Sequence, residues 1–263
     1  MKSLGKNLRQ LSPSVILMFL MLISISEAQI PEDMVLYLPL DEGEGKVAVD
    51  LSIHHNNAEI KGNPKWVEGP FGMALQLGGA SDHLVVKNSP SLQLTDALTI
   101  SCWVQVTGAG DLQSGVEKEP GWQVGEYNLM PVYNGLIQLQ MFDLPEGCDD
   151  EGQTGNIKDS KWHYITGAWD GDVITLYLDG EPIADRDCSG KLAKGSGDLY
   201  IGTRGGNDRF LQGMIDEIKI YGRGLSSDEI QADMADPRHN LAVLLGDKLP
   251  VLWGKLKGDK PKN

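Results

Sequence analysis

Two adjacent carboxylates, Asp216 and Glu217, lie in the stretch LQGMIDEIKIY at residues 211–221. Glycoside hydrolysis uses a pair of carboxylates that flank the scissile bond. The alternation of residues from Gly213 onward predicts a strand, in which neighbouring side chains point to opposite faces. Asp216 then shares the core-facing side with three apolar residues, whereas Glu217 lies outside as an ordinary surface charge. The two carboxylates therefore cannot act as a pair on one substrate.

A carboxylate on the core side of a strand needs a partner, because an unpaired buried charge is strongly destabilising. A bound Ca²⁺ suits Asp216, since this hard cation takes carboxylate and carbonyl oxygens as ligands. Backbone N–H groups of a neighbouring turn, or a basic side chain such as Arg204 or Arg209, are alternatives. A strand that begins near the sandwich edge would instead leave Asp216 in solvent. All of these remain open at this stage.

Other catalytic and metal-binding patterns are absent from the sequence. It contains no GxSxG, HExxH or CxxC motif, and so does not support a serine hydrolase or a zinc site. His54 and His55 are adjacent, so on a strand they would point apart, and we expect a polar loop there. His163 alternates with Trp162 in a strand pattern and is expected to pack. We therefore predict that the protein is not an enzyme.

The composition and the first residues indicate an acidic, exported protein. A formal net charge of −14 over 263 residues argues against a nucleic-acid partner, which would require a basic surface. A basic start, the apolar run at residues 15–25 and Ser26-Glu27-Ala28 predict a secretory signal peptide over residues 1–28. An uncleaved membrane anchor is the alternative. Because a spanning helix needs roughly 20 apolar residues, we expect no membrane span after signal cleavage.

The three cysteines are expected to differ in oxidation state. Cys102 lies in the strand-like run LTISCWVQV and is predicted to be a buried thiol. Cys148 and Cys188 lie in polar loops, and export makes a disulfide between them the best pairing. Two free surface thiols are the alternative.

Short alternating runs separated by turn residues predict an all-β protein, with Asn134-Gly135 as a strong hairpin signal. Their regular spacing predicts an antiparallel two-sheet sandwich. The predicted strands are VLYLPL (35–40), GMALQLGG (72–79), HLVVKN (83–88), ALTISCWVQV (97–106), WQVGEY (122–127), LIQLQMF (136–142), WHYITGAWD (162–170), VITLYL (173–178), EPIAD (181–185), LYIG (199–202) and the strand from Gly213.

One short helix is predicted near the C-terminus. Ser226 and Glu229 fit a capping box, in which each side chain binds the other residue's backbone N–H group. The helix is expected from Ser227 to Met234 and must end before Pro237. We therefore predict one domain over residues 29–236 and a tail over residues 237–263, whose last six residues are disordered.

Four segments resemble a known family when they are read in order. They are LYLPLDEGEGKVAVDLS, FGMALQLGGASDHLVVKNSPSLQLTDALTISCWV, KWHYITGAWDGDVITLYLDGEPI and LYIGTRGGNDRFLQGMIDEIKIYGRGLSSDEI. Together they resemble the laminin-G-like jelly-roll domains of the concanavalin A-like lectin/glucanase superfamily, over residues 35–235. The resemblance implies two stacked antiparallel sheets but no particular ligand, because this fold serves lectins, adhesion modules, pentraxins and glycosidases. The E-x-D-x-x-E pattern of the glucanases is missing from this chain.

The resemblance also implies a structural Ca²⁺. Related glucanases hold this ion with an Asp of a similar terminal strand and with carbonyls from near the first strand and from a glycine turn. On this sequence the ligands would be the Asp216 side chain, the Asp41 main chain and a carbonyl of Gly78 or Gly79. Asp50 is an alternative ligand, although an Asx-type turn hydrogen bond is the preferred explanation for this residue. A metal-free, hydrogen-bonded Asp216 is the competing interpretation.

Trp122, Tyr127 and Tyr133 are the aromatic candidates for contact with a sugar, since they flank a hairpin expected at the rim of the sandwich. Their competing interpretation is core packing. The acidic stretch PEGCDDEGQ at residues 145–153 is read as a solvated loop, with a second Ca²⁺ site as the alternative.

These features together predict an exported, non-catalytic binding module. Carbohydrate is the first expected ligand, and an extracellular protein surface is the second. A glycoside hydrolase remains an alternative, because acid pairs can be assembled from distant segments.

Overall fold

The computed structural model describes residues 30–142, 144, 148 and 152–239, without the side chains of residues 152–154. The predicted signal peptide, most of the acidic loop and the tail from residue 240 therefore lie outside the described residues. Within them the chain forms two antiparallel sheets and one short α-helix, which confirms the predicted fold class. No helix in this part of the chain is long and apolar enough to cross a bilayer.

The first sheet has eight strands. Across the sheet they run in the order β15 (Glu181–Asp187), β14 (Val173–Leu178), β13 (Trp162–Trp169), β7 (Leu98–Val106), β17 (Gln212–Tyr221), β5 (Gly72–Gly78) and β4 (Lys65–Gly69), while β1 (Met34–Leu38) pairs with the second half of β17.

The second sheet has nine strands. Across the sheet they run in the order β12 (Gly152–Thr154), β11 (Leu136–Met141), β10 (Tyr127–Tyr133), β9 (Val116–Lys118), β16 (Leu199–Ile201), β6 (His83–Val86), β3 (Ala58–Lys61) and β2 (Val47–Ala48), while β8 (Leu112–Gln113) pairs with β10.

The core lies between the two sheets because apolar residues alternate along their strands. Leu98, Ile100 and Cys102 of β7 face it from the first sheet, and Leu139 of β11 faces it from the second. Cys102 is completely buried with a free thiol, as predicted.

Asn134 and Gly135 form the turn between β10 and β11, with φ angles of 50° and 86°. These left-handed values are what a two-residue hairpin turn requires. The strand predicted over residues 122–127 is wrong for its first five residues, because β10 begins at Tyr127. Trp122 has a φ of 62° and the preceding Gly121 has a φ of 103°, which turn the chain.

A β-bulge at Glu217 interrupts β17. Asp216 and Lys219 pair with residues of β7 that are only two apart, so β17 contains one extra residue, and Glu217 has a φ of 50°. The bulge reverses the alternation, since Ile215 faces the core before it and Ile218 after it. Asp216 is therefore buried on the outer face of the sheet, so its predicted core-facing position is wrong.

The helix α1 (Ser227–Ala235) has the predicted capping box, formed by Ser226 and Glu229. It packs on the outer face of the first sheet through Asp233. This carboxylate accepts hydrogen bonds from Lys219 Nζ at 2.7 Å and from the Tyr221 hydroxyl at 2.6 Å. All three side chains are buried, so the ion pair and the hydroxyl fix the helix on the sheet.

Cys148 and Cys188 form the predicted disulfide, with their Cα atoms 5.3 Å apart. Both residues are buried and belong to the core. The Cys188 carbonyl accepts a hydrogen bond from Trp169 Nε1 at 2.8 Å, which ties the bridge to β13.

We predict that Asp233→Ala lowers the free energy of unfolding by about 3–5 kcal/mol, because it leaves the Lys219 ammonium buried without its carboxylate. Asp228→Ala, in the exposed first turn of the same helix, should cost about 1 kcal/mol or less. Urea unfolding monitored by tryptophan fluorescence measures both values. Equal losses for the two variants would contradict the assignment of Asp233 as the anchor.

Candidate functional site

A groove of about 560 Å³ lies on the outer face of the second sheet. Tyr200 of β16 points into it, because its neighbours Leu199 and Ile201 face the core. Two loops form the walls, residues 119–126 between β9 and β10 and residues 202–211 between β16 and β17. We call this the polar groove, and its main lining side chains are Trp122, Tyr200, Arg204, Asn207, Asp208 and Arg209.

Two of the lining residues have left-handed backbone angles, which are unusual for residues other than glycine. Trp122 has a φ of 62° and Arg209 has a φ of 48°. Such conformations cost of order 1–3 kcal/mol and are found preferentially at functional sites. Both side chains are therefore held in the groove against the preference of the backbone.

Arg204 joins the exposed and the buried parts of the polar groove. Its guanidinium lies 5.2 Å from the centroid of the Trp122 ring, in a cation–π contact. On its other side, Nε lies 3.3 Å from Glu117 and Nη2 lies 3.8 Å from Glu126. One arginine thus bridges two buried carboxylates and supports the ring that forms the groove wall.

The two glutamates have raised pKa values. Burial, with the nearby charge of Glu126 as the second cause, raises the pKa of Glu117 from 4.5 to about 8. Burial also raises the pKa of Glu126. Burial and the closeness of the two carboxylates favour their protonated forms, and the charges of Arg204 and Arg209 oppose this effect at Glu117.

Polar side chains continue beneath the groove along β10 and β11. Asn128 donates hydrogen bonds at 3.2 Å to both Gln140 and Glu126. Gln138 and Gln140 also lie on this face and are buried. Two buried polar atoms, Asn128 Oδ1 and Arg209 Nε, have no hydrogen-bond partner among the described residues, whereas Glu117 Oε1 is held by Arg204 Nε at 3.3 Å. A buried polar layer with unused hydrogen-bonding capacity is typical of a ligand site.

This polar layer was not predicted from the sequence. A signal was present in LIQLQM, where Gln138 and Gln140 alternate with Leu139 and Met141 and so must lie opposite the core. The sequence does not show that Gln138 and Gln140 are buried, because their burial depends on the surrounding loops and strands.

The three predicted aromatic ligand residues have different positions. Trp122 lines the polar groove and is 51% exposed. Tyr133 lies at its edge, with its ring centroid 5.8 Å from the Arg209 guanidinium. Tyr127 is wrong as a ligand residue, because it faces the core and donates its hydroxyl to the Leu92 carbonyl at 3.2 Å.

A second polar cluster surrounds the bulge on the outer face of the first sheet. We call it the bulge cluster, and it contains Asp41, Asp216, Glu217 and Arg238. Nη2 of Arg238 contacts Glu217 Oε1 at 3.2 Å, the Phe71 carbonyl at 3.1 Å and the Asp41 carboxylate. One guanidinium nitrogen is therefore surrounded by oxygens from three segments. The predicted surface position of Glu217 is wrong, since this residue is buried in the cluster.

Two glycines make room for the carboxylates of the bulge cluster. A Cβ atom on Gly69 would lie 2.6 Å from Asp216 Oδ2, and one on Gly72 would overlap Asp41 Oδ1. Asp216 Oδ1 accepts a hydrogen bond from the Glu217 N–H group at 2.9 Å. Asp216 Oδ2 is buried and has no hydrogen bond of normal geometry among the described residues, although the Phe71 N–H group lies close enough to this carboxylate to lower the pKa of Asp216. The cluster therefore has an oxygen that Arg238 does not satisfy.

Burial raises the pKa of both acidic residues at the bulge. Burial first, and the charge of Glu217 second, raise the pKa of Asp216 to about 9. Burial raises the pKa of Glu217 to about 7, against the lowering effects of the Tyr37 hydroxyl and Arg238. The cluster therefore contains more carboxylates than its single guanidinium neutralises.

The Ca²⁺ ligand set implied by the resemblance is brought together only in part. Asp41 and Asp216 meet in the bulge cluster, and Asp41 enters it through its side chain. Gly78 pairs with Gln212, four residues along β17 from Asp216, which is about 13 Å by strand rise. Gly78 and Gly79 are therefore wrong as partners of Asp216.

Asp50, the alternative ligand, is occupied by backbone groups. Its carboxylate accepts hydrogen bonds from the N–H groups of Tyr37 at 2.8 Å, Ser52 at 2.9 Å and Asn56 at 2.6 Å. This agrees with the Asx-type interpretation. In the described ranges no three His, Cys, Asp or Glu side chains form a ready-made metal site.

The two stacked antiparallel sheets form a jelly-roll sandwich. The chain belongs to the concanavalin A-like lectin/glucanases superfamily, because the laminin G-like family model with that description matches residues 77–231. A comparison with curated proteins finds no match.

The fold is similar to solved domains of several proteins. The binding domain of Paraclostridial Mosquitocidal Protein 1 has a TM-score of 0.63 at 17% identity, over 80% of this chain and 54% of that domain. The chain thus spans about half the length of that neighbour. Domain 4 of AbnA, a GH43 extracellular arabinanase from Geobacillus stearothermophilus solved with arabinotriose, has a TM-score of 0.62 at 15% identity, over 78% of this chain and 98% of that one.

An enzyme also occurs among the similar structures. Trypanosoma rangeli sialidase in complex with the inhibitor DANA has a TM-score of 0.58 at 16% identity, over 80% of this chain and 34% of the sialidase. At these identities the comparisons establish the fold alone.

We predict that Glu117→Gln flattens the pH dependence of stability. A carboxyl whose folded pKa lies above its unfolded pKa stabilises the folded state below the unfolded value, and this contribution is lost as the pH rises through the folded value. For Glu117 the window runs from about pH 4.5 to about pH 8. Urea unfolding across that window should show wild type losing stability relative to Glu117→Gln.

The exposed Glu44→Gln serves as the control for this measurement and should follow the wild-type curve. A stability difference between wild type and Glu117→Gln that stays constant with pH would show that folding does not raise the pKa of Glu117.

Proposed function

We propose that the protein is an exported, non-catalytic module that binds carbohydrate in the polar groove. The observation that carries the proposal is the half-exposed Trp122 ring above a buried polar layer with unused hydrogen-bonding atoms. Sugars offer apolar ring faces edged by hydroxyl groups, so they need one aromatic surface and several fixed polar partners. Arg204 covers one side of the Trp122 ring, and the other side is free to stack on a sugar.

The burial of the glutamates supports a binding role over hydrolysis. A glycosidase needs two carboxyl groups that reach the scissile bond from its two sides. Glu117 and Glu126 are 1% and 0% exposed, and the Arg204 guanidinium lies between them and the groove wall. They support the groove from below, where a substrate cannot reach them.

An extracellular protein surface is the second candidate ligand. It is favoured by apolar side chains at the edge of the second sheet, where Val47, Val49 and Ile53 are 49%, 43% and 48% exposed. Val47 belongs to β2, the edge strand of this sheet, and edge strands can pair with an extended partner.

An exported location is part of the proposal. The disulfide between Cys148 and Cys188 supports it, because such bonds persist in oxidising compartments. The signal peptide predicted over residues 1–28 would provide the route.

We also propose a structural Ca²⁺ in the bulge cluster. The unpartnered Oδ2 of Asp216, the Asp41 carboxylate and the Phe71 carbonyl are the hard oxygen donors that this ion prefers. Bound Ca²⁺ would supply positive charge for the buried carboxylates. Arg238 now contacts two of these three groups, so the ion and the Arg238 contacts would compete.

Trp122→Ala should weaken carbohydrate binding about 10-fold or more, because it removes the stacking surface. Val124→Ala, at an exposed position of the same loop, is the matched control and should leave the affinity unchanged. A glycan array with the purified protein identifies the ligand, and isothermal titration then measures Kd. An unchanged Kd for Trp122→Ala would exclude the polar groove as the site.

Ca²⁺ should raise the melting temperature, and at 100 times its Kd the gain corresponds to about 2.7 kcal/mol. Asp216→Asn should abolish the rise, and Arg238→Gln should tighten Ca²⁺ binding by removing the competitor. Asp82→Asn is the control, because Asp82 accepts a hydrogen bond from the Gly78 N–H group and lies outside the bulge cluster; this variant should still show the rise in melting temperature with Ca²⁺. Terbium luminescence sensitised by Trp103, the strand partner of Asp216, gives an independent measure. A melting temperature unaffected by both Ca²⁺ and chelator would refute the site.

A further inference from the structure

Arg209 is the guanidinium of the polar groove that has no carboxylate within hydrogen-bonding distance. Its side chain is 11% exposed, and the nearest carboxylate oxygen, on Asp208, lies 4.0 Å from Nε. Nε has no hydrogen-bond partner among the described residues, and Nη1 contacts the weak acceptor Met130 Sδ at 3.5 Å. A largely buried cation without a strong acceptor is costly, so its retention at a groove indicates a ligand.

The two arginines of the polar groove therefore differ in role. Arg204 is bound to two glutamates and supports Trp122, so its charge is already compensated. Arg209 lines the groove without a carboxylate in hydrogen-bonding distance, so the part of its guanidinium beyond the buried Nε can bind a molecule there.

The backbone holds Arg209 in place before any ligand arrives. Its N–H group donates to Asp208 Oδ1 at 2.8 Å, and its carbonyl accepts from the Ser114 N–H group at 2.9 Å. The guanidinium lies 5.8 Å from the Tyr133 ring, which restricts its orientation further. A fixed, planar donor fork matches an anionic group better than a flexible ammonium does.

We infer that the polar groove selects an acidic carbohydrate, whose carboxylate or sulfate group is bound by Arg209 while a sugar ring stacks on Trp122. This inference rests on the proposed carbohydrate-binding function and specifies its ligand class. The net charge of −14 opposes the approach of a polyanion in general. The attraction for an acidic ligand is therefore local, and Arg209 is the groove arginine without a carboxylate partner to provide it.

Salt dependence distinguishes this recognition from non-specific binding of a polyanion. Contacts between exposed charges weaken steeply as ionic strength rises, whereas largely buried contacts are screened much less. Binding through Arg209 should therefore persist between low and physiological salt.

The test compares matched oligosaccharides that differ in one acidic group: a uronate oligosaccharide with its carboxyl-reduced form, and a sulfated oligosaccharide with its desulfated form. Wild type should prefer one acidic form by about 10- to 100-fold, the range for a hydrogen bond to a charged group. The pair that shows the preference identifies carboxylate or sulfate as the group bound.

Arg209→Gln should abolish the preference for the acidic form over the neutral form, and Arg209→Lys should retain part of it. Lys65→Gln, an exposed cation on the first sheet, is the control and should behave as wild type. Circular dichroism and melting temperature confirm that each variant is folded.

Equal binding of acidic and neutral forms by wild type would overturn the inference but leave carbohydrate binding intact. A preference retained in Arg209→Gln would overturn the assignment of Arg209. Failure of wild type to bind any of these sugars, or any sugar on the array, would overturn both the inference and the proposed function.

Discussion

The bulge at Glu217 determines the arrangement of the first sheet, because β17 changes its neighbour there. Before the bulge β17 lies between β7 and β5, and after it β17 lies between β7 and β1. The extra residue lets Ile215 and Ile218 both face the core, which a regular strand could not do. The same reversal turns Lys219 outward to anchor α1. The packing of the core, the docking of α1 and the formation of the bulge cluster therefore all depend on this one bulge.

The two polar clusters use buried charge in different ways. In the polar groove a single arginine is placed between two glutamates, and the compensated group then supports an aromatic wall. In the bulge cluster the carboxylates outnumber the guanidinium, and one oxygen of Asp216 remains unpaired. In both clusters the carboxylates outnumber the guanidinium that contacts them, so the unpaired Asp216 oxygen, rather than the charge count, favours an added cation in the bulge cluster.

Local signals allowed part of this structure to be predicted from sequence. The strand β14 has the predicted limits, residues 173–178, because turn residues lie at both ends of the apolar run. The helix α1 matches its prediction to within one residue, because the capping box that starts it is a local sequence signal. The bulge was not predictable, since the alternation in GMIDEIKI fits a regular strand equally well. The groove was not predictable either, because the pairing of β9 with β16 brings together residues far apart in sequence.

The left-handed backbone at Trp122 and Arg209 has a consequence for the evolution of this domain. Glycine adopts such angles without strain, so glycine at either position would relax the backbone. It would also delete a side chain that shapes the groove. Selection for thermal robustness alone would therefore favour glycine at both positions and erode the recognition surface.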